Sequence, residues 1–531
     1  MSYRDFELSG HSEAVAANGM VATSHPAATL AAIDVLREGG NAVDAAVCAA
    51  AVQAVVEPTQ TGIGGDCFAM LMRPGDRKPI AINGSGWSPK AISLDFFANS
   101  GAHEIPIESP HSVTIPGAVS AWEILIQKHG RLPWARVLAP AIELAENGSC
   151  IPERLSRDWN KQESKLKRTE AAASLFLFEG KPPTAGTLHK QPALARTLRT
   201  ISAGGAAEFY RGGVGADLVA TLQEHGGLHT IDDFTEFAAE YVQPIFVDYR
   251  GYRLWECPPN GQGIVAMLMA RGMEQFNLSA WPSISSERFH LQAEFSRLAY
   301  ATRDAFVADP RTGKIPVDWL LSDAHVHQMR QKVSLTTRIG SLKTSDERPH
   351  SDTVFICVVD RDRNAVALIN SIFEDFGSGI VCARTGIVLH NRGSSFSLKP
   401  GHPNALAGRK RPMHTIIPAI LARGDRPVMT FGVTGAHFQP IGQMQILANT
   451  VDYGMSIQRA IDHPRMFARD EMFEVERTVP ESVAQALREL GHNVTRPENP
   501  LGTAQAIWID YERGILRGGA DGRRDGIALG Y

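Results

Sequence analysis

The chain has 531 residues, 44% of them hydrophobic and 7% aromatic, with a formal net charge of -4 at pH 7. That length exceeds what one simple core serves and predicts two lobes or one large layered domain, with the composition of a soluble globular protein. The lack of a basic excess argues against nucleic acid and anionic membrane surfaces as partners. Residues 1–8 hold neither a basic n-region nor an apolar h-region, and no run of about 18 apolar residues occurs. The expectation is therefore a cytoplasmic protein without a membrane span. Cys48, Cys67, Cys150, Cys257, Cys357 and Cys382 are scattered and form no CxxC pair; they read as reduced thiols rather than disulfides or zinc ligands.

Residues 19–24 read as a short strand. A helix over 27–37 ends at Gly39-Gly40, and a second over 41–56 is apolar on nearly all sides, hence buried. Thr61-Gly62-Ile63-Gly64-Gly65-Asp66 is too glycine-rich for a helix and feeds a strand over 67–73. Residues 112–127 change to a helical pattern, 150–235 read as mostly helical, and a long amphipathic helix covers 286–307. The polar stretch 340–352, with Lys343, Asp346, Glu347, Arg348, His350 and Asp352, is a candidate linker of the kind where chains are cut. Beyond it, strands over 354–360, 365–371, 386–390 and 428–433 alternate with short turns, and a helix covers 439–451. The C-terminal part thus reads as α/β layers dominated by sheet.

Three features invite a chemical reading. Thr353 opens a β-branched strand directly after the polar linker. Cleavage before it would give the threonine an α-amine as its own base, although a threonine opening a strand is ordinarily a strand residue. Gly62-Ile63-Gly64-Gly65 lacks the spaced glycines and Lys-Ser/Thr of a phosphate loop and reads as a structural turn. Thr430-Phe431-Gly432-Val433-Thr434-Gly435-Ala436 follows a strand and precedes a helix, which suits backbone N–H groups facing a developing oxyanion. His25, His290 and His414 stand alone in the sequence, and no His/Asp/Glu spacing resembles a metal site.

These residues resemble the γ-glutamyltransferase family of N-terminal-nucleophile hydrolases, nearly end to end. The resemblance is carried by Ser24-His25-Pro26, Gly39-Gly40-Asn41-Ala42-Val43-Asp44-Ala45-Ala46, Glu57-Pro58 with Gly62-Ile63-Gly64-Gly65, Pro116-Gly117 and Pro258-Pro259-Asn260-Gly261-Gln262-Gly263. It continues through Thr353 with Val358-Val359-Asp360, Phe376-Gly377-Ser378-Gly379, Lys410-Arg411-Pro412, Ala520-Asp521 and Gly530-Tyr531. It implies a four-layer αββα sandwich of α/β (α+β) class, built from a precursor that cuts itself between Asp352 and Thr353. The pieces would be a large subunit, 1–352, and a small one, 353–531, each the other's partner, with a dimer of such heterodimers left open. It further implies Thr353 as nucleophile, Ser371 as a supporting hydroxyl with Asn370 beside it, and the N–H groups of Gly435 and Ala436 as the oxyanion hole. No metal or organic cofactor is implied.

Departures from the family pattern bear on substrate. Family members acting on glutathione carry an arginine where Ser85 aligns, to grip the α-carboxylate bidentately. They also hold the α-amine with an acidic or amide pair in the stretch here reading Asn391-Arg392-Gly393-Ser394-Ser395-Phe396. The paired serines that touch the carboxylate become His414 and Thr415, and a contacting asparagine becomes Phe373. The chain is most similar to the branch holding oxamate amidohydrolases and acylases. That implies a small carboxylate-bearing amide without an α-amine as substrate, oxamate leading, with Arg392 and His414 on the carboxylate. The alternatives are an internal ion pair for Arg392, a glutathione hydrolase or γ-glutamyltransferase, and a non-catalytic relative.

Overall fold

The computed structural model describes residues 10–98, 101–342, 353–469 and 471–531. Two seven-stranded antiparallel sheets lie face to face. In chain order their strands are β1 (Ala14–Ala16), β2 (Met20–Thr23), β3 (Asp66–Met72), β4 (Ile80–Gly84), β5 (Glu240–Val242), β6 (Ile245–Tyr249) and β7 (Tyr252–Glu256). After the linker come β8 (Val354–Val359), β9 (Ala365–Ser371), β10 (Ala419–Arg423), β11 (Arg426–Val433), β12 (Ala504–Asp510), β13 (Ile515–Ala520) and β14 (Ile527–Gly530). One sheet runs β1-β13-β12-β11-β10-β7-β6, the other β14-β2-β8-β9-β3-β4-β5. Each sheet thus mixes strands from before and after the linker, so neither segment encloses a core alone.

Alternation along β8 and β9 builds the layers. Phe355, Cys357, Val359, Ala365, Ala367 and Ile369 pack between the sheets with Phe68, Met70, Ile420 and Ile507. Ile356, Val358, Val366 and Leu368 face the helical layer outside. That layer centres on helix α1 (Pro26–Arg37) and helix α2 (Ala42–Val56). His25 caps α1 through Nδ1, which accepts from Ala27 N, and Asn41 with Asp44 forms a capping box at α2. Every residue of α2 is buried, as its apolar sequence requires. On the far side, α3 (Gly263–Met273), α4 (Ser286–Phe306) and α5 (Gln439–Val451) cover the other sheet. The four-layer α+β expectation is met.

The helices expected over 27–37, 41–56, 286–307 and 439–451 are α1, α2, α4 and α5 within a residue or so. The strand expected over 386–390 shrinks to Ile387–Val388 in a small ribbon. Its continuation is pulled away, because Leu389 N donates to Ile380 O and His390 N to Gly64 O. The strands over 240–256 and 504–530 were not foreseen; β5 and β14 are short and lie at sheet edges, whereas β12 and β13 are as long as β9 and β8. Of the six cysteines, all free, only Cys150 is exposed. Among the described residues no helix is long and apolar enough to cross a membrane. Asp352 and most of the linker lie outside the described residues.

Candidate active site

Thr353 stands at the head of β8, 1% exposed. Its Oγ1 lies 3.0 Å from Ser371 Oγ at the end of β9, and Ser371 Oγ accepts from Phe373 N at 2.9 Å. The odd-numbered face that carries Phe355 and Cys357 also carries Thr353 and Ser371. Across the sandwich, Cys357 Sγ lies 3.3 Å from Thr430 O, and a Cβ on Gly432 would sit 2.5 Å from the Phe355 ring. Two residues back on β8 matches two residues on along β11, so Thr353 comes level with Thr434 and Gly435. There the chain turns, with φ 104° at Gly435 and 45° at Ala436. Among the described residues the N–H groups of these two meet no acceptor, whereas Phe438 N donates to Gly435 O at 2.8 Å. Gln60, with its amide turned to satisfy both ends, donates to Thr353 O at 3.3 Å and accepts from Arg524.

The glycine loop lies beneath this site as close packing. A Cβ on Gly64 would lie 2.1 Å from Val388 O, and one on Gly65 would lie 2.2 Å from Ser371 O. Only glycine fits such approaches, which is the structural turn expected. Asn370 braces the same loop: its Nδ2 donates to Thr61 Oγ1 at 2.8 Å and Gly62 O at 3.0 Å. It sits on the even, helix-facing side of β9. The expectation that Asn370 touches substrate is therefore corrected, since strand alternation points it away from Thr353 and Ser371.

A buried charged cluster adjoins the two hydroxyls. Asp66 pairs with Ser371 in the β3–β9 register. Its Oδ1 accepts from Gly86 N at 3.0 Å; its Oδ2 accepts from His414 Nε2 at 3.0 Å and lies 3.3 Å from His390 Nδ1. Burial alone would raise the Asp66 carboxyl, but His390 and His414 hold it well below the carboxylate range. His414 Nδ1 accepts from Ile416 N at 3.3 Å, and its ring packs 4.8 Å from Phe68. Burial, then Arg392, pulls His414 down to about 3, so it is neutral. With both nitrogens engaged, His414 offers no donor to a ligand. The expectation that it binds a carboxylate is corrected to a role in holding Asp66.

Arg392 is fully buried in this cluster. Its Nη1 donates to Thr415 Oγ1 at 2.8 Å, its guanidinium lies 3.9 Å from the Phe373 ring centroid, and Nε is 3.9 Å from Asp66 Oδ2. That last separation is an ion pair without a hydrogen bond. Among the described residues neither Nε nor Nη2 has a hydrogen-bond partner. Burial lowers the guanidinium to about 9 against the pull of Asp66. Phe373, at φ 77°, holds its ring under the guanidinium. Ser85 is also buried, but its loop is closed: Ser85 Oγ accepts from Asn260 Nδ2 at 3.1 Å, and Ser85 O from Arg411 Nε at 2.9 Å. Beside Phe373, Glu374 and Asn391 bond to each other, at 3.2 Å from Glu374 N and 3.3 Å from Asn391 Nδ2.

Asp66 and His390 escaped the sequence reading. Asp66 had a signal, an acid closing the glycine loop, but its position opposite Ser371 needs the strand register. The histidines were read as isolated, yet His290, Glu294 and His492 bring ligand atoms within 4.8 Å of one another. Their atoms serve the chain. His290 Nε2 donates to Ser334 O at 2.8 Å and Nδ1 lies 2.7 Å from His492 Nε2, while His492 Nδ1 and Glu294 Oε1 both accept from Arg297. Glu294 Oε2 accepts from Ile339 N. A guanidinium at that spot opposes a cation, and the cluster braces α4 against the segment that leads into the linker.

The family model described as gamma-glutamyltranspeptidase matches residues 28–531. A glutathione hydrolase-like proenzyme of Bacillus subtilis is 37% identical over 523 residues, covering 96% of this chain and 98% of its own. An oxamate amidohydrolase proenzyme of Klebsiella pneumoniae is 34% identical over 537 residues, covering 98% and 100%. The crystal structure of a cephalosporin acylase from Bacillus halodurans superposes with a TM-score of 0.93 at 37% identity, covering 100% of this chain and 98% of that one.

Proposed function

Since the chain belongs to the gamma-glutamyltranspeptidase family of amidohydrolases, we propose that it cuts itself before Thr353 and then hydrolyses a small carboxylate-bearing amide through an acyl-threonine. The observation that carries the substrate reading is Arg392. Among the described residues, Nε and Nη2 of this fully buried guanidinium have no hydrogen-bond partner, in the cluster that adjoins the Thr353–Ser371 pair. A planar carboxylate meets such a fork bidentately. The enclosure supports a short substrate, because Arg392, His414, Thr415, Phe373 and Ser395 are all buried. Oxamate, a carboxylate joined directly to an amide, is the leading candidate, and the Klebsiella relative is named for that activity.

In the cycle, the freed α-amine of Thr353 takes the proton of its own hydroxyl, with Ser371 Oγ holding that hydroxyl in line. Oγ1 attacks the amide carbonyl, and the N–H groups of Gly435 and Ala436 stabilise the oxyanion, worth about 10²–10³ in rate per donor. The α-amine returns the proton to the departing nitrogen, and water then releases the acid. In the precursor the same hydroxyl attacks the Asp352–Thr353 peptide.

A γ-glutamyl substrate is the second reading. The observation favouring it is the Glu374–Asn391 pair, an acid and an amide beside Phe373 where an ammonium group would be held. Steady-state kcat/KM on oxamate and on a γ-glutamyl anilide separates the two. Preference for oxamate is expected, and preference for the anilide overturns the carboxylate-amide reading.

A further inference from the structure

The motif Pro258-Pro259-Asn260-Gly261-Gln262-Gly263 has no part in the cycle above, yet it lies behind both halves of the site. Gln262 caps α3 and is fully buried. Its Nε2 donates to Thr415 O at 2.8 Å and to Ala436 O at 2.9 Å, and its Oε1 accepts from Arg303 Nη1 at 2.9 Å. Arg303 Nη1 also donates to His437 Nδ1 at 2.8 Å, and Tyr300 Oη donates to His437 O. The backbone joins in: Gln262 N donates to His414 O at 2.9 Å, and His414 N to Asn260 O at 2.8 Å. One side-chain amide therefore ties the segment carrying Thr415, the hydroxyl on Arg392, to the loop carrying Gly435 and Ala436.

Ala436 explains why such a tie is needed. It is an alanine at φ 45°, in the left-handed region that its Cβ disfavours. Backbone in such a region persists where the surroundings over-determine it. The carbonyls on either side of Ala436 N and beyond are each held: Gly435 O by Phe438 N, Ala436 O by Gln439 N within the same turn and by Gln262, His437 O by Tyr300. Of these, the Gln262 bond is the one that reaches Ala436 from outside its own turn.

We propose that Gln262 is a positioning residue for the reaction, its amide holding Ala436 left-handed so that the N–H groups of Gly435 and Ala436 stay aimed at the oxyanion, in register with the Arg392–Thr415 side of the pocket. The proposal rests on those N–H groups being the oxyanion donors. Gln262 touches neither substrate nor nucleophile; it acts through Ala436 and Thr415. A purely structural role predicts loss of folded enzyme, whereas positioning predicts loss of kcat in folded enzyme.

The test uses the full chain, with kcat and KM measured on whichever of oxamate or a γ-glutamyl anilide the wild type turns over faster. A failed carboxylate reading then changes the substrate and leaves the comparison intact. Gln262→Glu keeps the size and the contact with Arg303 but turns acceptors on the carbonyls of Thr415 and Ala436. It should lower kcat about 10²-fold with KM within about threefold, at near wild-type melting temperature. Gln262→Ala should lower kcat similarly, and its penalty should shrink at least threefold in an Ala436→Gly background, because glycine adopts the left-handed conformation unaided. Wild-type kcat in Gln262→Glu, an effect on KM alone, or an equal Gln262→Ala penalty in both backgrounds overturns the proposal. Where Gln262→Ala fails to fold, the kcat of Gln262→Glu decides alone.

Discussion

Replacing Arg392 by glutamine isolates the group on which the substrate reading depends. Glutamine is neutral and shorter, so the bond that Arg392 Nη1 now donates to Thr415 Oγ1 at 2.8 Å goes with the guanidinium. What also disappears is the fixed charge and the fork of Nε and Nη2, neither of which has a hydrogen-bond partner among the described residues. A hydrogen bond to a charged partner contributes about 1.5–3 kcal/mol. Two of them, discounted for the pull of Asp66 at 3.9 Å, come to about 3–4 kcal/mol, or roughly 10²–10³ in kcat/KM. Arg392→Lys restores a point charge without the fork and should recover about half of that loss on a logarithmic scale. The fold should stand in both variants, because Asp66 keeps His390, His414 and Gly86 N around it. The assay is steady-state ammonia release from oxamate beside the turnover of an amide without a carboxylate. The loss should appear on the first substrate and be absent on the second. A change of less than threefold on oxamate, or an equal change on both, refutes the reasoning.

Further outcomes follow from the same geometry. Thr353→Ala removes the hydroxyl proposed to attack in both reactions, so a denaturing gel should show one uncut, inactive chain. Ser371→Ala breaks the 3.0 Å contact with Thr353 Oγ1 and the 2.9 Å bond from Phe373 N; kcat should fall about 10–100-fold, the range of a lost positioning hydrogen bond. Gly435→Ala places a Cβ at φ 104° and 3.1 Å from Gly502 Cα, which should displace an oxyanion donor and lower kcat by about 10²–10³. Asp66→Asn leaves Arg392 without its counter-charge and should cost about 3–5 kcal/mol at pH 7 in thermal or denaturant unfolding. The Asp66 carboxyl is held below its ordinary range, so its stabilisation is fully present above the unfolded value of about 3.9 and lost as pH falls below it. The melting temperature of the wild type should therefore drop more steeply than that of Asp66→Asn as pH falls below about 4.

Local chemistry made much of this legible in the sequence. The helix α2 announces its burial by composition, and Asn41 with Asp44 announces its start. The family resemblance supplied Thr353, Ser371 and Asn370, and the β8–β9 register then puts the first two on one face and Asn370 on the other. What stayed hidden depends on contacts far apart in the chain. Asp66 meets Ser371 only through the β3–β9 register, and His414 joins Asp66 across 348 positions. Arg392 and Ser85 were both named from the resemblance, but that Asn260 and Arg411 close off Ser85 shows only in the folded chain. The brace through Gln262 was visible only as a motif without a role, because its partners Thr415, Ala436 and Arg303 come from three other elements.

The intact mass of the purified protein, read together with the N-terminal sequence of any fragment, bears most directly on the claim that Thr353 is the nucleophile. Cleavage before Thr353 of the 531-residue chain predicts two species, of 352 and 179 residues, the smaller beginning Thr-Val-Phe-Ile. A single uncut chain that turns over amide substrate, or a fragment starting at another residue, would contradict it.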